Sequence, residues 1–114
     1  NPENDAVKGK RVHVVSVREY IDSNYASDIT LEGLAAQFFI NKTYLSEMFK
    51  EQYGIALKDY LVSVRITEAK RLLRFTDKTT EEIATMVGIN GAGYFSRMFK
   101  RVEGVTPTEY RGMW

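Results

Sequence analysis

The sequence predicts an all-α protein of about seven helices that form two helix-turn-helix lobes joined by a long central helix. Apolar residues recur at steps of three and four through most of the chain, and no segment shows strand alternation. The 114 residues include only two prolines and eight glycines, so few helices would be interrupted. The chain also repeats itself: YLSEMFKEQYG at 44–54 and YFSRMFKRVEG at 94–104 share six of eleven positions.

The chain opens with a polar stretch, residues 1–10, which is predicted to be a tail or linker ahead of one domain at 11–114. A domain of this length can bury a core without disulfides or metals. Apolar residues then recur on one helical face, which places a first helix at roughly 11–25. The residues of that face are Val14, Val17, Ile21 and Tyr25.

Two helices of the first lobe are predicted from their capping residues. Thr30 is a favourable N-cap for a short helix, and Asn41 is one for a longer helix that stops at Gly54. Two helices joined by so short a turn form a helix-turn-helix, which we place at about 30–54.

The central helix is predicted at about 56–75, because its apolar residues cover more than one face. They are Leu57, Tyr60, Leu61, Val64, Ile66, Ala69, Leu72 and Leu73. A helix of this kind is usually packed from two sides, so it should serve both lobes.

The second lobe repeats the signals of the first. The run TTEE at 79–82 has the spacing of a capping box, and Asn90 would cap the following helix. These signals place a second helix-turn-helix at about 79–104. The run TPTE at 106–109 combines an N-cap with a proline at the first helical position, which predicts a last helix ending near Gly112.

The second helix of each copy has an apolar side that we predict to be core. Those residues are Leu45, Met48, Phe49 and Gln52 in the first copy, and Phe95, Met98, Phe99 and Val102 in the second. The opposite side carries Thr43, Ser46, Glu47 and Lys50, and in the second copy Gly93, Ser96, Arg97 and Lys100. The residues that both copies share mainly form the core, whereas the equivalent positions 47 and 97 differ in charge, with Glu47 in the first copy and Arg97 in the second. We therefore expect the side that differs between the copies to contact a partner. In a helix-turn-helix the second helix is the one that enters a major groove of DNA.

The composition excludes several classes of protein. Without cysteine there is no disulfide framework or thiolate metal site, and no apolar run is long enough to span a membrane. His13 is the single histidine, and no ligand or nucleophile stands at a useful spacing, so we predict no enzyme, cofactor or metal. The net charge is only +1, so a nucleic-acid partner must be argued from where the charges lie.

A basic run in the central helix allows two interpretations. Its residues are Arg65, Lys70, Arg71 and Arg74. A solvated helix face is the more common explanation, but part of the run could flank DNA or bind another domain.

The run VGINGAGYFSRMFKRVEGVTPTEYR at 87–111 resembles the signature of the DNA-binding domain of the AraC/XylS family of bacterial transcription regulators. The matching residues are Gly88, Tyr94, Phe95, Arg97, Phe99, Lys100, Gly104, Thr106, Pro107, Tyr110 and Arg111. The first copy, LEGLAAQFFINKTYLSEMFKEQYG, matches as well, and the resemblance covers roughly 14–112. It implies a cytoplasmic protein with two recognition helices in successive major grooves of double-stranded DNA, about 34 Å apart.

The resemblance and the exposed faces together assign roles to individual residues. The predicted base-reading residues are Thr43, Ser46, Glu47, Gly93, Ser96 and Arg97, since arginine pairs with guanine and glutamate accepts from cytosine. The predicted phosphate contacts are Thr30, Lys42, Lys50, Thr80, Lys100 and Arg101, where the two threonines mark helix starts with available backbone amides.

Further partners follow from the resemblance. Because the chain begins with Asn1 and not with methionine, we expect a piece of a longer regulator whose missing N-terminal portion is a sensor or receiver domain. RNA polymerase is a further candidate partner. The competing interpretation is a helical protein–protein interaction module, which the near-zero net charge favours.

Two positions depart from the family pattern. Phe39 stands in the first turn where the family usually has glycine, and because phenylalanine tolerates a positive φ poorly, this turn is expected to be distorted or strained. Gly91-Ala92-Gly93 opens the second recognition helix without side chains that could reach bases, which would either let the backbone approach a phosphate or loosen the start of the helix. Base reading by the second copy therefore depends more on Ser96 and Arg97.

Overall fold

The computed structural model describes residues 2–114, with side chains from His13 onward. This part of the chain contains seven helices and no strand, which confirms the predicted all-α class. The helices are α1 (Pro2–Asn24), α2 (Leu31–Gln37), α3 (Lys42–Tyr53), α4 (Leu57–Phe75), α5 (Thr80–Met86), α6 (Ala92–Glu103) and α7 (Pro107–Gly112). The long central helix is α4, with 19 residues.

The chain divides into two compact units, each with its own helix-turn-helix. The first lobe contains α1 and Ile29–Leu61, and the second contains Tyr25–Asp28 and Val62–Trp114. In the first lobe α1 and α2 both pack on α3. Its buried apolar residues are Val14, Val17, Ile21, Leu34, Ala35, Leu45, Phe49, Leu57 and Leu61.

The second lobe has one continuous core built from α4, α5 and α6. Its buried residues are Ile66, Ala69, Leu72, Leu73, Ile83, Ala84, Val87, Ile89, Phe95, Met98 and Phe99. Tyr25, Val62 and Tyr110 pack against this cluster. Helix α4 thus has buried residues in both units, Leu61 in the first and Leu72 in the second.

The start of α1 corrects the sequence prediction. The helix begins at Pro2 and not at about residue 11, so most of the predicted tail at 1–10 has helical backbone, while residue 1 lies outside the described part. Proline is well suited to the first helical position, because its missing amide would have no partner there. A polar composition is typical both of a disordered tail and of the start of a helix, so it does not distinguish the two.

Four predicted caps are confirmed, including Thr106, which caps α7 and accepts a hydrogen bond from the Glu109 amide. Thr30 accepts a hydrogen bond from the Gly33 amide, and Asn41 accepts one from the Tyr44 amide at 3.1 Å. Thr79 and Glu82 form the reciprocal capping box that their spacing predicts.

The predicted cap at Asn90 is wrong. Gly91 occupies the N-cap position of α6, with φ 92°, and makes no side-chain cap. The second copy has one more residue here than the first, and this insertion moves Asn90 out of the position that Asn41 holds before α3. The first amides of α6 are consequently left without a side-chain acceptor.

The two helix-turn-helix turns have the same backbone hydrogen bonds. In the first, Phe39 N donates to Ala36 O and Ile40 N to Ala35 O; in the second, Gly88 and Ile89 donate to Thr85 and Ala84. Both turns need a positive φ, which is 57° at Phe39 and 84° at Gly88. A non-glycine residue in this region costs on the order of 1–3 kcal/mol. The predicted strain at Phe39 is therefore present, and the turn keeps its geometry despite it.

Candidate nucleic-acid interface

Helix α3 presents the predicted reading face to solvent. Thr43, Glu47 and Lys50 are exposed, and Ser46 is half-buried between them and the core side of the helix. The core side is held by Leu45 and Phe49, which are fully buried because they recur at a step of four.

Helix α6 presents an equivalent face. Gly93, Arg97 and Lys100 are exposed and Ser96 is half-buried, so each copy repeats the same sequence of exposures. The guanidinium of Arg97 lies back over the first turn, with one nitrogen 3.5 Å from where a Cβ on Gly93 would be. The missing side chain at 93 thus leaves room for Arg97 to cover the start of the helix.

The two faces differ in charge. On α3 two lysines and two glutamates cancel, whereas α6 carries three cations and one glutamate, a net charge of +2. The lone acid of α6, Glu103, pairs with Lys70 at 3.3 Å. The exposed side of α6 is therefore cationic, and that of α3 is mixed.

Sequence reasoning missed two residues of these faces. Tyr94 is 51% exposed and lines a shallow depression of about 230 Å³ with Arg97, Met98 and Arg101. The repeat pattern attributes its aromatic residues to packing, and Tyr94 is an exception. Glu51 occupies the place of Arg101 in the other copy, and its spacing of four from Glu47 could have revealed an acidic stripe on α3.

Two residues predicted to be core are exposed. Gln52 and Val102 occupy equivalent places near the ends of α3 and α6, and Val102 is 45% exposed. The helical period alone places both on the apolar side. In the structure both positions face solvent, so the apolar side is narrower at this turn than the period predicts.

The predicted phosphate contacts divide into two groups. Lys50, Lys100 and Arg101 are exposed on the recognition helices. At the start of α2, by contrast, Lys42 pairs with Glu32 at 3.3 Å, and a hydrogen bond from the backbone of Glu32, followed by that ion pair, lowers the pKa of the carboxyl.

Carboxylates also stand at the other predicted helix start. Thr80 begins α5, where Glu81 and Glu82 occupy the first turn. Because these acids already complement the helix dipole, the amides near Thr30 and Thr80 are less suited to a phosphate than those at the bare start of α6.

The basic run of α4 is engaged within the second lobe. Arg65 donates to the Tyr25 and Ser27 carbonyls at 2.8 and 2.9 Å, and burial lowers its pKa. Arg71 pairs with Glu68, and the Arg74 guanidinium lies 3.9 Å from the Trp114 ring centroid. Together with the Lys70 pair, these contacts favour a structural role for the run.

Other kinds of site find little support in the described residues. No three His, Asp or Glu side chains there converge as a metal site requires. Among the same residues, no helix is long and apolar enough to cross a membrane. His13 is exposed.

Known proteins are similar to this chain in both sequence and fold. A family model described as a helix-turn-helix domain matches residues 34–113. The C-terminal domain of AraT, a response regulator from Geobacillus stearothermophilus, is 36% identical with a TM-score of 0.87, over 90% of this chain and 85% of that one. A probable AraC family regulator from Rhodopseudomonas palustris is 28% identical, with a TM-score of 0.77, over 89% and 95%.

Curated relatives extend well beyond the matched region. The uncharacterized regulator YijO of Escherichia coli is 38% identical over 84% of this chain, and the bifunctional transcriptional activator/DNA repair enzyme AdaA of Bacillus subtilis is 39% identical over 85%. This chain spans 34% and 46% of their lengths.

These matches define the class: a DNA-binding helix-turn-helix domain of transcription regulators. The chain belongs to the AraC family, which confirms the resemblance found in its sequence.

Proposed function

We propose that the domain binds double-stranded DNA sequence-specifically, with α3 and α6 in successive major grooves. The observation that carries the proposal is the repeated pattern of exposure on the two helices. Each presents an exposed position, a half-buried serine and an exposed charged residue at matching steps. In this fold class such a face is the one that contacts base edges.

The proposed contacts differ between the helices. On α6, Arg97 reads a guanine, with Ser96 and Gly93 beside it, while Lys100, Arg101 and the uncapped first amides hold phosphates. On α3, Thr43, Ser46 and Glu47 read bases, Glu47 by accepting from cytosine N4.

The phosphate contacts of α3 are fewer. Lys50 holds a phosphate, and Lys42 can contribute only by leaving Glu32. The helix starts at Thr30 and Thr80 are the weakest of the proposed phosphate contacts, because glutamates already occupy their first turns.

The whole protein is proposed to be a larger cytoplasmic regulator. Its other portion would carry a sensor or receiver domain, and RNA polymerase is a candidate partner. The similarity to AraT, which is a response regulator, favours the receiver alternative.

Duplex binding at different salt concentrations tests the proposal. The logarithm of the affinity should fall linearly with the logarithm of salt, by about 0.9 for each neutralised phosphate. A selection from random duplexes should then return one preferred sequence. A flat salt response, or no duplex binding in low salt at a protein concentration of about 10 μM, would instead favour the protein-binding module.

A further inference from the structure

Tyr94 has different surroundings from Tyr44, the tyrosine at the same position of the other copy. Tyr44 is half-buried and its hydroxyl oxygen is buried, whereas Tyr94 is 51% exposed. Each is followed by a fully buried residue, Leu45 in α3 and Phe95 in α6, so the two helices have the same orientation on their cores. Packing therefore accounts for the tyrosine of α3, but not for the exposed tyrosine of α6.

The position of Tyr94 on α6 is at one edge of the exposed face. Because an α-helix turns by about 100° for each residue, Arg97 lies near the middle of that face. Tyr94 and Arg101 are about two turns apart and share one edge of it. When such a helix lies in a major groove, the middle of its face meets base edges and its edges lie next to the phosphates that border the groove.

The depression beside Tyr94 has the chemistry of a phosphate contact. Tyr94, Arg97, Met98 and Arg101 line it, and none of these side chains is acidic. Met98 is only 8% exposed, so the surface open to a ligand is mainly that of the phenol and the two guanidinium groups. A phenol hydroxyl and a guanidinium both donate hydrogen bonds, and phosphate oxygens accept them from both.

We propose that the Tyr94 hydroxyl and the Arg101 guanidinium together hold one DNA phosphate at the edge of α6. This inference rests on the proposed function and adds Tyr94 to its contacts. Phosphate contacts fix the register and orientation of a protein on the duplex. The shared phosphate therefore determines which base Arg97 meets, while Tyr94 itself reads no base.

Neutralising single phosphates tests the inference. In the preferred duplex, each phosphate bordering the α6 half-site would be replaced in turn by a methylphosphonate, which carries no charge. Wild type should lose affinity at several of these positions. Tyr94→Phe and Arg101→Ala should both become less sensitive at one and the same position. Lys100→Ala is the control, because it removes another cation of α6 and should remain sensitive there.

The unmodified duplex gives the size of the effect. Tyr94→Phe should bind it about three- to tenfold more weakly than wild type, since one hydrogen bond to a charged group is lost. Its selected sequence should be unchanged. Tyr44→Phe is a matched control and should stay within about twofold of wild type, because the hydroxyl of Tyr44 is buried and is no phosphate contact.

Three results would overturn the inference and leave the proposed function standing. The first is a Tyr94→Phe variant that binds the unmodified duplex as tightly as wild type. The second is a loss of sensitivity at different phosphates in Tyr94→Phe and Arg101→Ala. The third is a changed base preference in Tyr94→Phe, since the hydroxyl would then read a base. If wild type binds no duplex, the proposed function fails as well.

Discussion

Helices α3 and α6 share a frame and differ in what they present. Leu45 and Phe49 are buried in α3 as Phe95 and Phe99 are in α6, and each helix ends at a left-handed glycine. Their exposed faces are electrically unlike, mixed on α3 and cationic on α6. On the inward side Met48 and Phe49 recur as Met98 and Phe99, whereas on the outward side Glu47 and Arg97 carry opposite charge. If both helices bind DNA as proposed, we expect α6 to contribute more of the electrostatic binding energy and α3 more of the sequence discrimination.

The two helix-turn-helix turns, at Phe39 and Gly88, differ in what packs against them. Gly88 lies against the Ala26 backbone, so any side chain there would meet atoms that cannot move away. Phe39 points into solvent, and only its φ opposes a side chain. The same local geometry thus tolerates substitution in one lobe and not in the other.

The largest expected effect comes from exchanging glycine at the two turns. Gly88→Ala should lower the free energy of unfolding by about 2–5 kcal/mol, roughly 1–2 from the left-handed backbone and 1–3 from overpacking. Phe39→Gly should raise it by up to about 1 kcal/mol, since relief of strain is offset by the entropy of glycine. Denaturant unfolding measures both. If Gly88→Ala proved as mild as Phe39→Gly, the close approach of Ala26 would be wrong.

The next largest expected effect is on DNA binding, from substitution of Arg97 and Glu47, which occupy equivalent positions and carry opposite charge. Arg97→Ala should weaken binding to the best duplex by about 1–3 kcal/mol and relax the preference at one position. Glu47→Ala removes an acid close to phosphates, so it should raise non-specific affinity while it blurs the other half-site. Binding-site selection on both variants distinguishes these outcomes. Should Arg97→Ala return an unchanged sequence at lower affinity, Arg97 is a phosphate contact and α6 serves as an anchor.

Substitution of the lysines that both copies share should have a smaller effect on duplex affinity. Lys50→Ala and Lys100→Ala should each weaken all duplexes alike and reduce the salt slope by about one. Arg71→Ala is a control, because Arg71 is an exposed cation of α4 that pairs with Glu68. A slope that changes for Lys100→Ala and not for Lys50→Ala would sharpen the comparison, by showing that only α6 contacts phosphates at this position.

Much of this architecture could be predicted, because helical periodicity and capping chemistry are local. Thr30, Asn41 and the Thr79–Glu82 box fixed three helix starts correctly. Asn90 misled the prediction, since one inserted glycine changes which residue precedes a helix and composition does not show it. Pro2 misled it too, because polar residues suit a tail and a helix start alike.

The candidate site could be predicted only as a face. Exposure at Thr43, Glu47 and Arg97 follows from the helical period. The Glu32 pair that engages Lys42 joins residues ten apart, and the Arg65 contacts join residues about forty apart. Such contacts depend on tertiary packing, which no local pattern records. Gly88 likewise looks like an ordinary turn glycine until Ala26 is seen against it.

The smallest expected effect concerns an acid at a helix start in each lobe. Glu109 closes a capping box with Thr106, whose hydrogen bonds hold the pKa of Glu109 below its ordinary value of 4.5. Glu32 has a lowered pKa too, mainly through a backbone hydrogen bond and then through Lys42. Because both folded pKa values are depressed, each carboxylate stabilises its lobe above pH 4.5, and that contribution is lost as the pH falls through the folded pKa.

Glu32→Gln and Glu109→Gln separate the charge from the hydrogen bond, since glutamine can still accept at a helix start. Each variant should be slightly less stable than wild type at neutral pH and should approach it under acid conditions. Thermal midpoints between about pH 6 and pH 3 measure this convergence. Glu32→Gln also frees Lys42, so it should increase duplex affinity, whereas Glu109→Gln should leave that affinity unchanged. If both variants bind the duplex alike, Lys42 is not a phosphate contact. Lys50 would then be the one lysine of α3 that contributes to phosphate binding.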